Sequence, residues 1–563
     1  METKVRTQDL LHEKHTYTDM RDLIERSAQM YQDRVAYSFK VKPTDKEKVR
    51  ITFPEMRDDV RGYATELIRL GIAGKHVAVI GKNSYEWVLT YFSLLSSGST
   101  VVPLDREWGG AELAETVARA DCEALIIDTE LKEKAEAIIE KTGIRDVFYL
   151  GGEGECAIAS LIARGRSAYA ESSEPYFTAP IDPDKLSILV FTSGTTGKGK
   201  GVMISQTNVL SDMSDVIPFI DFSNKSISVL PPHHTFGSSV MIVGHCMIGA
   251  EVYISAGLRY IAKEIKDEKP GHLVLVPLYL ETFYRKILTN IKNQGKEKKF
   301  AIGVKLCKVF PFLRKKLLKD VLAVFGGNLK MIISGGAPLN KDMVKFYENL
   351  GITTLNGYGI TECAPIISVN HSKKNVKGSV GFPLGIDEIK IDEPNEDGEG
   401  EICVRGSNVM LGYFKDEEAT AEAIGEDGFF RTGDYGKIEG GAIFITGRKK
   451  NLIILSNGKN VYPEEIETEL NATPGVLDII VYEGKSRRGV EHNAIVAEVF
   501  TDAEFMEKNG ITDVKAYLQP YIDEYNRTAV PYKKIGVLKV RDEDFPKNTL
   551  RKIMRFKLDM TID

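Results

Sequence analysis

TSGTTGKGKG, residues 192–201, carries the strongest single signal in this chain of 563 residues. It follows the apolar run SILVFT (187–192), which predicts a strand, and it consists of small hydroxyl residues, glycines and two lysines. Glycines and hydroxyl groups let backbone N–H and side-chain O–H groups surround an anion, and lysines neutralise its charge. The segment is therefore predicted to be a phosphate-binding loop, with a flexible turn that binds nothing as the alternative.

The loop differs from the Walker A motif in two respects. Gly194, Gly199 and Lys200 fit G-x-x-x-x-G-K, but Gly201 stands where a Ser or Thr would hold magnesium. A helix should follow the motif, whereas VMIS (202–205) favours a second strand. We therefore expect a phosphate loop between two strands and not a P-loop NTPase.

Residues 76–128 predict a parallel sheet covered by helices. Short apolar runs alternate with segments of helical periodicity, in the order HVAVIG (76–81), SYEWVLTYFSLLSSG (84–98), STVVPLD (99–105), AELAETVARA (111–120) and CEALIID (122–128). Such alternation with short connections is typical of a parallel α/β sheet. Ligands are then expected at the carboxyl ends of the strands.

The later part of the chain changes character. Residues 171–184 predict a loop, and short β segments broken by glycine between 376 and 446 predict a small antiparallel subdomain. GRKKN (447–451) predicts a domain boundary, and Asn457-Gly458 a hairpin turn ahead of a helix that opens at Pro463. The expected fold is α/β: a large N-terminal domain (1–447) of doubly wound parallel-sheet layers with the small β subdomain, and a small mobile α+β C-terminal domain (448–563).

Composition excludes several classes of protein. A net charge of −6 gives no support for a nucleic-acid partner, and six scattered cysteines without a C-x-x-C pair argue against a zinc ribbon and for reduced thiols. The N-terminus has no apolar signal-peptide core, the chain has no run of about 18 apolar residues, and KLDMTID at the C-terminus is no targeting tail. A soluble, cytoplasmic enzyme is expected.

Six further segments occur in a fixed order with the loop. They are LPPHHTFG (230–237), SGGAPL (334–339), NGYGITE (356–362), FRTGDYG (430–436), GRKKN (447–451) and PKNTLRKI (546–553). Together with the loop they resemble the adenylate-forming (AMP-binding) superfamily, in particular its acyl-CoA synthetase branch. One departure is Leu550-Arg551, where many members have Thr-Gly before the catalytic lysine.

The resemblance implies the site residues. The catalytic set is Lys552, Thr361, Glu362 and His234, with Glu362 also the magnesium ligand. The implied residues for ATP and coenzyme A are Thr192, Ser193, Gly194, Thr195, Thr196, Gly197, Lys198, Gly335, Gly336, Ala337, Pro338, Gly357, Tyr358, Gly359, Asp434, Arg448, Lys450 and Gly458. Taken one at a time, each has an ordinary alternative as a core, turn or solvated surface residue.

Within this family, Tyr358 would stack on adenine, Asp434 and Arg448 would bind the ribose, and Lys450 would lie at a hinge. A carboxylic acid and MgATP would give acyl-AMP and pyrophosphate, and the acyl group would then pass to coenzyme A with release of AMP. Lys552 would bridge the carboxylate and the α-phosphate. The C-terminal domain would rotate between the two half-reactions, bringing the segment 456–460 towards the thiol.

Residues 281–333 resemble long-chain fatty acyl-CoA synthetases, through FYRKIL, a basic insertion and FGGNLKMIISGGAPL. The tryptophan gate of some long-chain members is absent, because the only tryptophans are Trp87 and Trp108, so the chain length stays open. PFLRKKLLKDVLAVF (311–325) either contacts anionic lipid headgroups peripherally or is a solvated surface helix. The sequence leaves the oligomeric state open.

Other functions remain open at this point. The acceptor could be a carrier protein, and the acid could be aromatic or an amino acid, since Asp212 and Asp215 lie near the place of an amine-binding aspartate. A non-catalytic copy of the fold is a further alternative. A zinc site at His233 and His234 is not expected, because neighbouring side chains of a strand point apart.

Overall fold

The computed structural model describes residues 10–192, 199–454, 460–484, 494–547 and 553–562. These residues form two compact units, and the chain passes between them more than once. The first unit comprises Met1–Gly336, Lys345–Ile389 and Val404–Phe430, and the second comprises Ala337–Val344, Lys390–Cys403 and Arg431–Asp563. The fold is α/β, as predicted. The domain boundary predicted between residues 447 and 448 falls between the last two residues of the strand Ala442–Arg448.

A seven-stranded sheet forms the centre of the first unit. Its strands, in spatial order, are Gly412–Tyr413, Lys200–Ser205, Leu186–Thr192, Thr100–Leu104, His76–Ile80, Ala124–Asp128 and Asp146–Leu150. The five strands from Leu186–Thr192 to Asp146–Leu150 in this order are parallel to their neighbours. Lys200–Ser205 instead pairs antiparallel with Leu186–Thr192. The parallel sheet predicted for residues 76–128 is confirmed, and its strands are nearly continuous buried apolar runs because helices cover both faces.

Two smaller sheets also lie in the described residues of the first unit. One has the order Val49–Thr52, Val35–Phe39, Glu251–Ile254 and Lys225–Ser228. The other has the order His272–Leu275, Met331–Ser334, Thr353–Gly359, Ile366–Val369 and Phe382–Pro383. In the five-stranded sheet the first three strands are parallel, so their carboxyl ends meet at one edge. Ile366–Val369 pairs antiparallel with both of its neighbours.

Helices connect these strands, and local sequence explains where they begin. The Ser84 hydroxyl accepts a hydrogen bond from the Trp87 N–H and caps the predicted helix, here Tyr85–Ser96. The α-helices of this unit, together with one that crosses its border, are Met20–Met30, Phe53–Arg69, Tyr85–Ser96, Gly110–Arg119, Lys132–Thr142, Ile158–Glu171, Glu174–Thr178, Gln206–Val216, His245–Ile248, Ile261–Glu268, Pro277–Asn293, Glu297–Val309, Arg314–Leu317, Lys319–Leu322, Lys341–Leu350 and Glu417–Ala423. A π-helix, Phe236–Gly244, precedes His245–Ile248.

One sequence prediction in this region was wrong. Residues 171–184 were expected to form a loop throughout, but Glu174–Thr178 forms a short helix with Pro175 in its first turn. The buried ring of Tyr176 packs against Tyr169, so a tertiary contact stabilises a turn that local sequence does not favour.

The described residues of the second unit form three small sheets. The first has the order Asp387–Asp392, Gly400–Gly406, Phe430–Glu439 and Ala442–Arg448, and each of its first three strands contains residues assigned to both units. A hairpin of Ile453–Ile454 and Asn460–Val461 is antiparallel, as the Asn457-Gly458 turn predicted, although the turn itself lies outside the described residues. The third sheet has the order Val476–Gly484, Ala494–Thr501 and Val537–Arg541, and the α-helices are Pro463–Leu470, Ala503–Lys508 and Val514–Thr528.

A pair of fully buried histidines links the end of the π-helix to a strand of the five-stranded sheet. His245 Nδ1 lies 2.8 Å from the Val240 carbonyl oxygen, which only accepts, so His245 Nε2 is unprotonated and accepts from His272 Nε2 at 2.9 Å. His272 Nδ1 is then the acceptor that faces the Ser223 hydroxyl at 2.8 Å, and the same hydroxyl lies 3.1 Å from the Lys225 carbonyl oxygen. Burial lowers the pKa of His245 to about 4, and burial, followed by the proximity of His245, lowers the pKa of His272 well below its ordinary value.

Acid should therefore destabilise the first unit through this pair. The folded state favours neutral histidine, so the stabilisation is complete above the unfolded pKa of about 6.5 and is lost as the pH falls towards about 4, on the order of 3 kcal/mol for His245. We expect the thermal midpoint of the wild type to fall more steeply over this range than that of His245→Gln, which cannot titrate there. Parallel pH profiles for the two proteins would contradict a neutral pair.

Candidate functional site

The predicted phosphate loop connects two antiparallel strands, as expected. Leu186–Thr192 pairs with Lys200–Ser205, and Thr192 lies opposite Lys200. The helix Gln206–Val216 begins only after the second strand, where the Ser205 hydroxyl accepts from the Asn208 N–H. The prediction that this is not a P-loop is confirmed. The loop residues themselves, 193–198, lie outside the described residues.

The closing side of the loop requires glycine. A Cβ on Gly199 would lie 2.2 Å from the Thr192 carbonyl oxygen, closer than any side chain tolerates. The Gly199 carbonyl oxygen accepts from Arg119 Nη2 at 2.8 Å, which fixes this end of the loop to a neighbouring helix. The two ends of the loop, at Thr192 and Gly199, therefore lie close together, and the Gly199 end is bound to a neighbouring helix.

Glu362 lies near this point, although it is distant in sequence. It belongs to the short turn Thr361–Cys363 and is 8% exposed, and its Oε1 accepts from the Tyr413 hydroxyl at 3.0 Å. The ring of Tyr413 carries Lys200 Nζ at 4.6 Å from its centroid. Burial, followed by the negative charge of Glu362, raises the pKa of Tyr413, so its hydroxyl remains a donor. Tyr413 thus connects Glu362, the predicted magnesium ligand, to Lys200, the first residue of the strand that follows the predicted phosphate loop.

Sequence reasoning missed Tyr413. It is the second residue of the edge strand Gly412–Tyr413, which pairs with Val202 and Met203 of the strand that follows the loop. None of the seven motifs contains it. A signal was available only in the tertiary structure, because its partner Glu362 is 51 positions away.

The carboxyl ends of two parallel strands present a second group of predicted residues. Ser334 and Asn356 are register partners, and Gly335 and Gly357 follow them. The Ser334 hydroxyl oxygen and the Asn356 side-chain oxygen are buried and form no hydrogen bond within the described part of the chain. Such orphaned polar atoms are uncommon in a folded protein and are suited to a polar ligand.

Glycines keep this edge open. A Cβ on Gly335 would lie 3.4 Å from the Phe236 ring and 3.5 Å from the Gly357 carbonyl oxygen, and a Cβ on Gly359 would lie 1.8 Å from the Pro365 carbonyl oxygen. Gly336 has φ +85°, a left-handed conformation that favours glycine. Tyr358, between the two glycines of its strand, is buried. Four residues that the resemblance implied for ATP or coenzyme A binding, Gly335, Gly336, Gly357 and Tyr358, therefore lie at one sheet edge, which is the edge where parallel sheets are expected to bind ligands.

His233 and His234 do not belong to a strand, contrary to expectation. They form a turn before the π-helix, and their ring centroids lie 4.3 Å apart, so the rings are side by side. His233 Nε2 lies 3.5 Å from Asp105 Oδ2, at the carboxyl end of the strand Thr100–Leu104. No group of three or more potential metal-ligating side chains occurs around the pair or elsewhere in the described ranges.

Asp212 and Asp215, weighed as amine-binding residues, are engaged in the fold. Asp215 accepts from Lys14 Nζ at 2.6 Å and from the Gly385 N–H. Asp212 is fully buried and accepts from the Ile366 N–H at 3.1 Å. Burial raises the pKa of Asp212 well above its ordinary value, which favours a neutral carboxyl, and the Asn408 side-chain oxygen is a buried atom without a hydrogen-bond partner among the described residues. Both residues are structural here.

The neutral state expected for Asp212 can be tested by two substitutions. Asp212→Asn keeps an acceptor for Ile366 and a donor for Asn408, and we expect a thermal midpoint close to that of the wild type. Asp212→Ala leaves both partners buried and unpaired, which costs about 1–3 kcal/mol. If Asn were as damaging as Ala, an ionised carboxylate would be required instead.

The second unit brings two predicted ribose residues together. Asp434 and Arg448 are register partners on neighbouring strands, and Arg448 Nε lies 2.7 Å from Asp434 Oδ1. The Asp434 side chain is buried. Lys450 follows in the turn Lys449–Asn451, and burial, followed by the positive charge of Arg448, lowers the pKa of its ammonium group although much of the residue is accessible to water.

The remaining predicted residues have simpler placements. Thr361 and His234 are half-buried in the first unit, and Ala337 and Pro338 are exposed in the second unit. Gly458 and Lys552 lie outside the described residues.

The parallel sheets, the loop between two strands and the buried acidic turn define an adenylate-forming enzyme fold. The chain belongs to the AMP-binding enzyme family, whose sequence profile matches residues 24–414.

Relatives in this family have stated activities of their own. The long-chain-fatty-acid–CoA ligase FadD15 of Mycobacterium bovis is 29% identical over 459 residues, covering 77% of this chain and 75% of the relative. The chloroplastic long-chain-fatty-acid–acyl-carrier-protein ligase AEE15 of Arabidopsis thaliana is 28% identical over 550 residues, covering 83% and 75%. Among solved structures, ATP-bound MatB from Rhodopseudomonas palustris superimposes with a TM-score of 0.75 at 25% identity, covering 96% of this chain and 98% of MatB.

Proposed function

We propose that this chain is an ATP-dependent acyl-CoA ligase for fatty acids of medium or long chain length. The observation that carries the proposal is the Tyr413 contact with Glu362 and Lys200, because it unites two motifs that are distant in sequence at the end of the phosphate loop. A nucleoside triphosphate with its metal ion requires a carboxylate that can bind the metal and a lysine beside a glycine-rich loop.

The proposed division of work follows from charge. Thr195, Thr196 and Lys198 bind the β- and γ-phosphates, which leave as pyrophosphate. Bringing a carboxylate to the α-phosphate opposes two negative charges, so a positioned cation is needed, and Lys552 is the proposed group. These four residues lie outside the described part of the chain, and their roles rest on the motifs.

Nucleotide selectivity is proposed to come from the edge with Ser334 and Asn356. The buried Asn356 oxygen is an acceptor without a partner among the described residues, and it suits the amino group of adenine. The resemblance implies an aromatic ring from Tyr358 for adenine, and it implies an acceptor from Asp434 and a donor from Arg448 for the ribose hydroxyls. Ser334 and Asn356 extend the set of residues implied by the motifs alone.

Magnesium fits the residues that are present. Glu362 is a buried carboxylate whose orientation is fixed by Tyr413, and magnesium is usually bound through one or two carboxylates together with phosphate oxygens. When bound there, the ion would neutralise phosphate charge.

The proposal also specifies the acid that is activated and the thiol that accepts the acyl group. The curated relatives support a fatty acid, but they differ in the acceptor: FadD15 is named for coenzyme A and AEE15 for an acyl carrier protein. We propose coenzyme A, with the carrier protein as the second candidate. The segment just after the proposed boundary at 447/448 is also proposed to be a hinge, so trypsin should cut after Arg448, Lys449 or Lys450 at different rates with and without MgATP.

Pyrophosphate release tests the proposal. The purified protein is incubated with MgATP and acetate, octanoate, palmitate, benzoate or an amino acid, with coenzyme A, with an acyl carrier protein or with neither, and products are identified by mass spectrometry. We expect octanoate or palmitate to give an acyl-CoA thioester. A thioester on the carrier protein alone would establish the second candidate, and silence with every acid would overturn the assignment as an enzyme of this kind.

A further inference from the structure

Exposed apolar side chains are concentrated in one short stretch of the first unit. Of 16 large hydrophobic residues that are exposed in the described chain, seven lie between residues 288 and 317. They are Leu288, Ile302, Leu306, Val309, Phe310, Phe312 and Leu317. Exposed apolar residues are normally scattered, so a cluster of this kind indicates a surface that meets an apolar partner.

Helix geometry places several of them in one stripe. Ile302, Leu306 and Val309 are spaced by four and three residues on the helix Glu297–Val309, so they share one face. Gly303 and Cys307 are buried on the inward side of the same helix. The stripe continues into the turn after the helix, where Phe312 is 78% exposed.

The same stretch is strongly basic. Residues 292–319 contain ten Lys or Arg and one acidic residue, Glu297, a net charge of +9 in a chain whose total is −6. Lys298, Lys299 and Lys305 lie three or four residues from Ile302 and therefore border the apolar stripe. Within the described part of the chain, none of the exposed lysines 298, 299, 305, 308, 315, 316 and 319 forms an ion pair, so their charge is available to a partner.

We propose that this basic apolar surface, residues 297–319, binds the anionic headgroup region of a phospholipid bilayer. Phosphate groups satisfy the unpaired lysines, and the layer just below them receives Phe310, Phe312 and the stripe. A second copy of the chain that approached with the same surface would present the same positive charge and would be repelled. No helix of the described chain is long and apolar enough to cross a membrane, so the contact is a peripheral one.

The binding test uses vesicles and no substrate, so its outcome is independent of the proposed enzymatic function. The full-length protein is sedimented with vesicles of phosphatidylcholine containing 30% phosphatidylglycerol, or of phosphatidylcholine alone. We expect at least about tenfold stronger binding to the anionic vesicles, with most of it lost in 0.5 M NaCl, since salt screens exposed charges. Equal binding to both vesicle types, or none, would overturn the proposal.

Matched variants separate the two components of the surface. Replacing Lys305, Lys308, Lys315 and Lys316 by Gln should weaken binding about tenfold. The control is the same change at Lys42, Lys132, Lys141 and Lys266, which are exposed and lie in other parts of the chain. Similar losses in both would mean that net charge alone acts and would contradict a defined surface.

The apolar component has its own pair of variants. Phe310→Ser with Phe312→Ser should weaken binding several-fold, whereas Val41→Ser with Leu258→Ser, also at exposed positions, should not. Unchanged thermal midpoints and unchanged pyrophosphate release without vesicles establish that the variants are folded. Capture of an acidic carrier protein in place of vesicles, lost in the same lysine variant, would assign the surface to a protein partner and overturn the lipid proposal.

Discussion

Lys552→Ala should lower the rate of pyrophosphate release about 10²–10³-fold with every acid that the wild type accepts. The physical reason is that adenylation brings a carboxylate against the α-phosphate, and a cation placed between two anions stabilises the transition state more than the separated reactants. Thioester formation from a supplied acyl-adenylate should persist, because that half-reaction does not oppose two free anions.

Arg551→Gly is the matched control for this experiment. It removes the neighbouring positive charge and moves the sequence towards the family pattern, in which Gly often precedes the lysine. We expect it to retain most of the activity. A Lys552→Ala protein that releases pyrophosphate at the wild-type rate, or an Arg551→Gly protein that is equally impaired, would exclude Lys552 as the adenylation lysine.

Glu362→Gln should lower adenylation by about 10² or more while the fold is retained. The glutamine oxygen can still accept from the Tyr413 hydroxyl, which lies 3.0 Å from the carboxylate in the native protein, so the buried contact survives. What is lost is the negative charge that the proposed metal site requires. The measurement is the rate of pyrophosphate release as a function of MgCl₂, and the variant should need far more of it.

Tyr413→Phe separates the effect of the hydrogen bond that orients Glu362 from the effect of Glu362 itself. It keeps the ring beneath Lys200 and the charge of Glu362 but removes the hydroxyl donor, and loss of such an outer contact typically costs about 10- to 100-fold in metal affinity or activity. We expect the magnesium requirement to shift in the same direction as in Glu362→Gln, but by less. An unchanged magnesium dependence in both variants would show that Glu362 does not hold the metal.

Local patterns were sufficient for much of the fold. The strands around residues 76–128 could be predicted because buried parallel strands are continuous apolar runs and their connecting helices are amphipathic. The loop at 193–198 could be placed between strands because Gly201 and VMIS break the Walker pattern. The helix at Glu174–Thr178 could not, since the contact of Tyr176 with Tyr169 that stabilises it is not written in either segment alone.

By itself, the sequence determined the family, the order of the motifs and the residue types that chemistry needs, because these are properties of short contiguous segments. Only the tertiary structure decided which of those segments meet: Glu362 with Tyr413 and Lys200, Asp434 with Arg448, and the stripe of Ile302, Leu306 and Val309 left exposed beside unpaired lysines. It also decided that Asp212 is a buried carboxyl that accepts from the Ile366 N–H and whose pKa is raised by burial. The physical reason is that periodicity tells which face of an element is buried, whereas the partner that buries it, and hence its charge state, depends on packing between distant parts of the chain.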